Sequence, residues 1–175
     1  MKHSQPLYPN QEYASSISIN PEFITNDWLT DTLRRGDTIG PETSLISVDW
    51  KQIAADVGFT SSLYRFAVQY SQTVDVPTTF VGKFTDGSSV PEALQHLVKR
   101  EVCFNLQVND PGVIIPCCHF TTIDNKNYVL SLLEDLGSEN WPDQMISATP
   151  QQSTIVMKAL AKMYASSADA SRNHQ

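Results

Sequence analysis

The chain has 175 residues, 41% of them hydrophobic, and its 12 basic and 19 acidic side chains give a net charge of −7. This predicts about one globular domain with its own core, and since basic residues never cluster beyond a pair, we expect no nucleic-acid binding. No apolar stretch is long enough for a membrane helix, the start lacks the apolar core of a signal peptide, and three cysteines favour a reducing compartment. We therefore expect no membrane association and a cytoplasmic location.

The N-terminal part of the sequence predicts a tail followed by a helix. Residues 1–19 are polar and rich in turn formers, which favours a flexible tail. Order is expected to begin near Asn20, with Pro21 at the first helical position and a stop at Arg34-Arg35-Gly36. The apolar residues between these signals lie close to helical spacing: Phe23, Ile24, Trp28, Leu29 and Leu33. This pattern predicts one amphipathic helix.

Five segments after this helix have strand character and two have helical character. The predicted strands are Leu45 to Val48, Leu63 to Tyr70, Thr78 to Phe84, Cys117 to Ile123 and Tyr128 to Leu133. The predicted helices run from about Pro91 to Val108 and from Thr149 to about Ala165. A hairpin turn, Asp124-Asn125-Lys126-Asn127, joins the last two strands. The capping box Thr149-Pro150-Gln151-Gln152 opens the last helix, and a polar tail, 166–175, follows it. This order predicts an α+β fold with a mostly antiparallel five-stranded sheet.

Two charged residues occupy positions where apolar side chains are expected. Lys83 lies in the strand Thr79-Phe80-Val81-Gly82-Lys83-Phe84, which is apolar on both faces. The apolar stripe of the next helix consists of Leu94, Leu97 and Val98. Glu101 continues this stripe one turn further along and should point toward the sheet. Because each buried charge would offset the cost of the other, we predict a Lys83–Glu101 ion pair. The alternative is a lysine that reaches solvent at a strand end and a glutamate at a helix edge.

Five segments in a fixed order carry a family resemblance. They are VGFTSSLYRF (57–66), the Lys83 strand, KREVCF (99–104), LLEDL (132–136) and LAKMYA (160–165). Together they resemble the N-terminal lobe of the aminoglycoside/choline-kinase-like phosphotransferases, and most closely the ecdysteroid-kinase-like branch. The most specific segment is the Glu134-Asp135-Leu136 step after an apolar strand. The resemblance covers roughly 20–165 and implies a kinase-like lobe with a helix packed across its sheet, an N-terminal helix and a C-terminal linker helix.

The resemblance implies that this lobe binds ATP. Lys83 would contact the α- and β-phosphates, and Glu101 would hold the lysine in place. The loop with Gly58, Ser61 and Ser62 would cover the phosphates, because small residues let backbone N–H groups approach an anion. Read from its residues alone, this loop also fits an ordinary turn.

The resemblance also assigns a role to the end of the last strand. Leu133, Glu134 and Leu136 would belong to a hinge whose backbone hydrogen-bonds adenine while apolar neighbours enclose the ring. The alternative is a strand that leaves the sheet edge into an acidic loop. Cys117-Cys118-His119 is compact, but consecutive strand residues face opposite ways and no second ligand pair follows, so we expect core cysteines and no metal site.

The sequence departs from the family where catalysis is concerned. The family uses an aspartate base in a His-x-Asp loop and a metal-binding aspartate, both in a second lobe. None of the four histidines has aspartate two residues later, and Tyr164 stands where relatives commonly have histidine. We therefore expect a truncated chain that is inactive alone, with Mg²⁺ bound only when the catalytic lobe is present. The full-length protein would phosphorylate a small-molecule hydroxyl acceptor, for which sterols, choline-like amines, aminoglycosides and sugars all remain possible.

A second hypothesis is a non-catalytic half-kinase module. Such a module would bind nucleotide, or would bind a protein partner through the apolar face that otherwise meets the second lobe. This face would be centred on the hinge and the last helix, and exposed apolar patches usually find a partner.

Overall fold

The computed structural model describes residues 20–53, 61–107, 113, 115–124, 126–137 and 147–172, with side chains up to residue 165 in the last helix. Within these residues the chain is an α+β protein with five strands and three α-helices. The strands are β1 (Leu45–Ile53), β2 (Ser61–Tyr70), β3 (Thr79–Asp86), β4 (Cys118–Ile123) and β5 (Tyr128–Glu134). The helices are α1 (Asn26–Arg35), α2 (Gln95–Gln107) and α3 (Pro150–Arg172). The predicted tail, 1–19, lies outside the described residues.

The chain divides into two compact units. The first comprises Met1–Gln107 and Cys117–Asp135, and it holds the sheet with α1 and α2. The second comprises Val108–Pro116 and Leu136–Gln175, and its described part is mainly α3. The sheet and its two helices therefore form the framework in which the predicted site lies.

The sheet is antiparallel throughout its described pairings, in the order β1-β2-β3-β5-β4. Two apolar clusters cover its two faces. The larger cluster joins α1 to one face and includes Leu29, Leu33, Phe66, Phe80, Leu130 and Leu132. The smaller cluster includes Val98 and Val102 of α2 with Val129 of β5. Since both faces of the central strands are covered, β3 and β5 have the nearly continuous apolar sequences that identified them as strands.

The first predicted helix is divided in two. Pro21–Phe23 forms a 3-10 turn that Asn20 caps, because the Asn20 side chain accepts a hydrogen bond from the backbone N–H of Glu22. The α-helix then begins at Asn26, with Thr25 accepting from the N–H of Trp28. The prediction of one continuous helix from Pro21 was therefore wrong, since two cap residues open two separate elements.

Three further boundaries differ from the sequence prediction by more than two residues. Helix α2 begins at Gln95 instead of near Pro91, because Glu92–Leu94 forms a 3-10 turn before it. Strand β1 continues to Ile53, five residues beyond the predicted end, because its exposed polar residues still pair with β2. Helix α3 continues to Arg172 instead of ending near Ala165, and its small polar residues remain compatible with helical backbone. The predicted capping box is confirmed: Thr149 Oγ1 accepts from the N–H of Gln152, whose side chain accepts from the N–H of Thr149.

The predicted turn between β4 and β5 is confirmed at its described residues. The Asp124 carboxylate accepts hydrogen bonds from the N–H groups of Lys126 and Tyr128. Asn127 has a positive φ of 63°, a conformation that asparagine tolerates better than most residues. The turn fixes the register of β4 and β5, which places Thr121 opposite Ser131. On its other side, Ser131 lies opposite Lys83 of β3.

Candidate functional site

Lys83 lies near the centre of one sheet face. The strand register places Leu63 of β2 and Ser131 of β5 directly opposite it, and directly opposed residues of antiparallel strands share a face. Helix α2 packs on this same face, because Val98 and Val102 contact Val129. The face that carries Lys83 therefore also carries the helix that follows β3.

The predicted ion pair between Lys83 and Glu101 is confirmed. The Nζ atom of Lys83 lies 2.6 Å from Oε1 of Glu101. The lysine side chain is 27% exposed and the glutamate side chain 39% exposed. The pair joins β3 to α2, and the lysine charge is partly accessible from solvent instead of being enclosed in the core. The alternative of two separate surface charges is thereby excluded.

A small cavity lies beside Glu101. Its volume is about 110 Å³, and it is lined by Ser61, Thr85, Val90, Leu94, Leu97, Val98 and Glu101. The hydroxyl oxygens of Ser61 and Thr85 lie 2.7 Å apart in its wall. Leu94, Leu97, Val98 and Glu101 all line this cavity, so they share one side of the helical segment, as the predicted stripe requires. Leu94 and Leu97 are nevertheless 42% and 48% exposed, and Val98 is the buried member of the three apolar residues.

The predicted phosphate loop is described only at its end. Gly58 lies outside the described residues. Ser61 shares the face of Lys83 and Glu101, since it pairs with Thr85. Ser62 pairs with Phe84 and its side chain points to the opposite face, because strand side chains alternate. Of the two serines, only Ser61 therefore has its hydroxyl on the lysine side.

Two consecutive carboxylates at the end of β5, Glu134 and Asp135, both contact other parts of the sheet. The Glu134 side chain accepts a hydrogen bond from the N–H of Cys117 at 3.0 Å, and the Glu134 N–H donates to the carbonyl of Cys117. Asp135 forms an ion pair with Arg65 of β2, with Nε 2.7 Å from Oδ2. Leu133 lies on the face of Lys83, whereas Leu136 begins the second unit and is 40% exposed.

The Arg65–Asp135 pair is not among the contacts that the sequence predicts. Arg65 belongs to the VGFTSSLYRF segment and Asp135 to the Glu134-Asp135-Leu136 step, and neither segment indicates a partner for these residues. A signal was nevertheless present, because Arg65 is a charged residue in an apolar strand, as Lys83 is. The argument that predicts a carboxylate partner for Lys83 also predicts one for Arg65. It does not identify that partner as Asp135, because the two residues are 70 positions apart in the sequence.

Burial changes the acidity of the groups at the start of β4. Burial raises the pKa of Cys117, with the Glu134 charge adding to the effect, and burial raises the pKa of Cys118 to about 12. The His119 pKa is lowered by burial, against a smaller opposing effect of Glu134. Across the described ranges, no three His, Cys, Asp or Glu side chains are grouped closely enough to hold a metal ion. These pKa shifts favour the neutral forms of all three groups. The prediction of core cysteines was wrong, because Cys103 and Cys117 are exposed and Cys118 is only partly buried.

Helix α3 presents large apolar side chains to solvent. Ile155, Val156, Met157 and Tyr164 are each more than half exposed. None of the helices in the described part of the chain is both long and apolar enough to cross a lipid bilayer. The exposed side chains belong to a helix that also carries Lys158 and Lys162.

Comparison of the chain with family models, with curated proteins and with solved structures found no match. Any function assigned to the site therefore rests on the positions and contacts of its own residues.

Proposed function

We propose that the first unit of this chain is the ATP-binding lobe of a kinase-like small-molecule phosphotransferase. One observation carries the proposal: a lysine on the third strand pairs, across the sheet face, with a glutamate on the helix that follows. In protein kinases this lysine and glutamate have the same placement, and the lysine contacts the α- and β-phosphates. The sheet order and the position of α2 between β3 and β4 support the same interpretation.

The proposed phosphate site is built around the lysine ammonium group. Lys83 is partly exposed, so an anion can reach its Nζ atom while Glu101 keeps the side chain oriented. The hydroxyl of Ser61 lies on the same face and can donate a further hydrogen bond. Gly58, in the segment that connects β1 to β2, would let backbone N–H groups approach the phosphates. Ser62 would contribute through its backbone only, since its side chain lies on the other face.

The proposed base site lies toward the end of β5. Leu63 and Leu133 are half-buried apolar side chains on the lysine face and can enclose a purine ring. Leu133 is two residues along β5 from Ser131, the residue opposite Lys83, which is a distance of about 7 Å along the strand. This spacing puts the base and the phosphates of one nucleotide at different points of a single face. The backbone at the end of β5, from Leu133 to Asp135, would hydrogen-bond the base edge through groups other than the Glu134 N–H, which already donates to the Cys117 carbonyl. Leu136 belongs to the second unit and is left out of this site.

These residues would bind the nucleotide, and phosphoryl transfer would require a catalytic lobe in addition to this one. No histidine among the 175 residues is followed two positions later by aspartate, so we identify no base that would activate an acceptor hydroxyl. Mg²⁺ and the hydroxyl acceptor would be bound with the catalytic lobe. When bound, Mg²⁺ neutralises charge on the β- and γ-phosphates.

Calorimetric titration with ATP tests the proposal. The wild-type chain is expected to bind ATP, and Lys83→Met is expected to weaken binding by at least about tenfold, because the charge that meets the phosphates is lost. Lys99→Met is the matched control, since Lys99 is an exposed lysine of α2. Absence of binding to the wild type at millimolar ATP, or equal losses in both variants, would contradict the assignment.

A partner-binding module is the second candidate, and the exposed apolar side chains of α3 favour it. Such a module should sediment as a monomer or as one defined complex. Ile155→Ser combined with Met157→Ser should dissociate that complex without changing ATP binding, because both residues are more than half exposed. Open-ended aggregation that the two substitutions suppress would argue against an evolved interface.

A further inference from the structure

We propose that the ion pair between Arg65 and Asp135 positions the end of β5 for recognition of the nucleotide base. The two residues would act through the backbone next to Asp135 and would contact neither phosphates nor base. This inference rests on the proposed function, because it assigns base selectivity within that same site. It follows from the geometry of the pair, its burial and the contacts of the neighbouring residue.

The geometry of the pair restricts both partners. Nε of Arg65 lies 2.7 Å from Oδ2 of Asp135, and Nη2 donates a hydrogen bond to Oδ1 at 3.0 Å. One guanidinium group thus contacts both oxygens of one carboxylate, through a hydrogen bond from Nη2 and a close charge contact from Nε that lacks hydrogen-bond geometry. Two contacts from one planar group restrict orientation as well as distance.

The pair also spans the sheet. Arg65 lies opposite Val81, and Val81 lies opposite Leu133, so the arginine reaches from β2 past β3 to the residue that follows β5. Val81 is 3% exposed in the middle of this row. The chain leaving β5 is therefore tied to a strand that is not its hydrogen-bonded neighbour.

The Arg65–Asp135 pair is less exposed to solvent than the Lys83–Glu101 pair. The side chains of Arg65 and Asp135 are 18% and 5% exposed, against 27% and 39% for the other pair. Removing two charges from water costs more than their attraction returns in many proteins, so a buried ion pair adds little to stability compared with apolar residues. A role in fixing local geometry accounts better for a charged pair at this position.

The residue before Asp135 is held from the other side. Glu134 exchanges hydrogen bonds with the backbone of Cys117, which leads into β4. The last residue of β5 is thus fixed by β4, and the next residue is fixed by β2. Hydrogen bonds weaken steeply when their distance or angle changes. A base edge that binds this backbone would therefore depend on the Arg65–Asp135 pair.

Binding of ATP, GTP and inorganic tripolyphosphate to four chains tests the inference: wild type, Lys83→Met, Arg65→Lys and Asp135→Asn. Tripolyphosphate carries the phosphates without the base. We expect Arg65→Lys and Asp135→Asn to weaken ATP binding by at least about tenfold, to reduce the preference for ATP over GTP, and to leave tripolyphosphate binding unchanged. Lys83→Met should weaken ATP and tripolyphosphate together.

The outcomes separate this inference from the proposed function. If the folded Arg65→Lys variant keeps wild-type ATP affinity and base preference, or loses tripolyphosphate affinity equally, the positioning role is wrong. If Asp135→Asn does not fold, the result for Arg65→Lys alone tests the positioning role. This variant keeps the positive charge and loses only the planar guanidinium group that contacts both carboxylate oxygens. If neither variant folds, the pair is purely structural and the inference fails. If the wild type binds neither ATP nor tripolyphosphate, the proposed function is overturned, and the positioning role with it.

Discussion

A Cβ atom on Gly82 would lie only 2.5 Å from Cε2 of Phe66. Phe66 pairs with Phe80 on the neighbouring strand, two residues before Gly82, and its ring is fully buried in the cluster that includes α1. The ring occupies the space that a side chain at position 82 would fill. The strand that presents Lys83 on one face can therefore pack against Phe66 on the other only because residue 82 is glycine.

Gly82→Ala is expected to lower the free energy of unfolding by about 1–3 kcal/mol, because the buried Phe66 ring must move to make room. Urea denaturation monitored by circular dichroism measures the change. Gly40→Ala is the control, since a Cβ there meets nothing within 4 Å. It should be neutral or stabilise by less than about 1 kcal/mol. If both substitutions change the free energy of unfolding equally, the contact with Phe66 is not the cause of the effect at position 82.

The two ion pairs on the lysine face should differ in their contribution to stability. Lys83→Met is expected to change the free energy of unfolding by less than about 1 kcal/mol, because the pair is partly solvated. Asp135→Asn is expected to lower it by roughly 3 kcal/mol, because Arg65 would keep a largely buried charge without its carboxylate. Denaturant unfolding of both variants measures this difference. A larger loss for Lys83→Met would mean that the lysine has a structural role that its exposure does not indicate.

Protonation of His119 should destabilise the fold in mild acid. Its imidazole Nδ1 lies 3.0 Å from Thr38 Oγ1 and its ring packs edge-on against Phe80. Burial lowers the His119 pKa below its ordinary 6.5, so the unfolded chain binds a proton first as the pH falls. The free energy of unfolding should therefore decrease below about pH 6.5, by at most about 1.4 kcal/mol per pH unit from this group.

The test compares unfolding free energies across this pH range for wild type, His119→Gln and His96→Gln. His119→Gln should flatten the pH dependence, whatever its effect on stability at neutral pH. His96 is exposed on α2, and its replacement should leave the wild-type slope unchanged. Equal slopes in the wild type and His119→Gln would contradict the assignment to His119.

The cysteine thiols should differ in their rates of alkylation near about pH 8, because the thiolate is the reactive form. Cys103 is exposed on α2 and should react first. Cys118 should react last, because it is half-buried and its pKa is raised to about 12. Cys117 is exposed but its pKa is also raised, which places it between the two. Peptide mapping by mass spectrometry gives the order, and denaturing urea should remove the differences. Early labelling of Cys118 in the folded chain would contradict this order.

The sequence alone determined the identity of the main elements and the antiparallel hairpin, and it predicted the pairing of Lys83 with Glu101 as one of two alternatives, between which the structure decided. These follow from local periodicity, turn chemistry and the cost of burying a single charge, all of which act over short sequence distances. Ends of elements were less well determined. The exposed half of β1 has no apolar alternation, since an edge strand can present polar residues to solvent, so only its pairing with β2 identifies it as strand.

Only the tertiary structure decided which distant groups meet. Arg65 and Asp135 are 70 residues apart, and their contact depends on the order in which β2, β3 and β5 lie in the sheet. The same holds for Gly82 beside Phe66, and for Leu94 and Leu97, whose exposure depends on how much of their helical segment the sheet covers. Local patterns specify what each segment can form, whereas contacts between segments depend on strand order and register, which no single segment encodes.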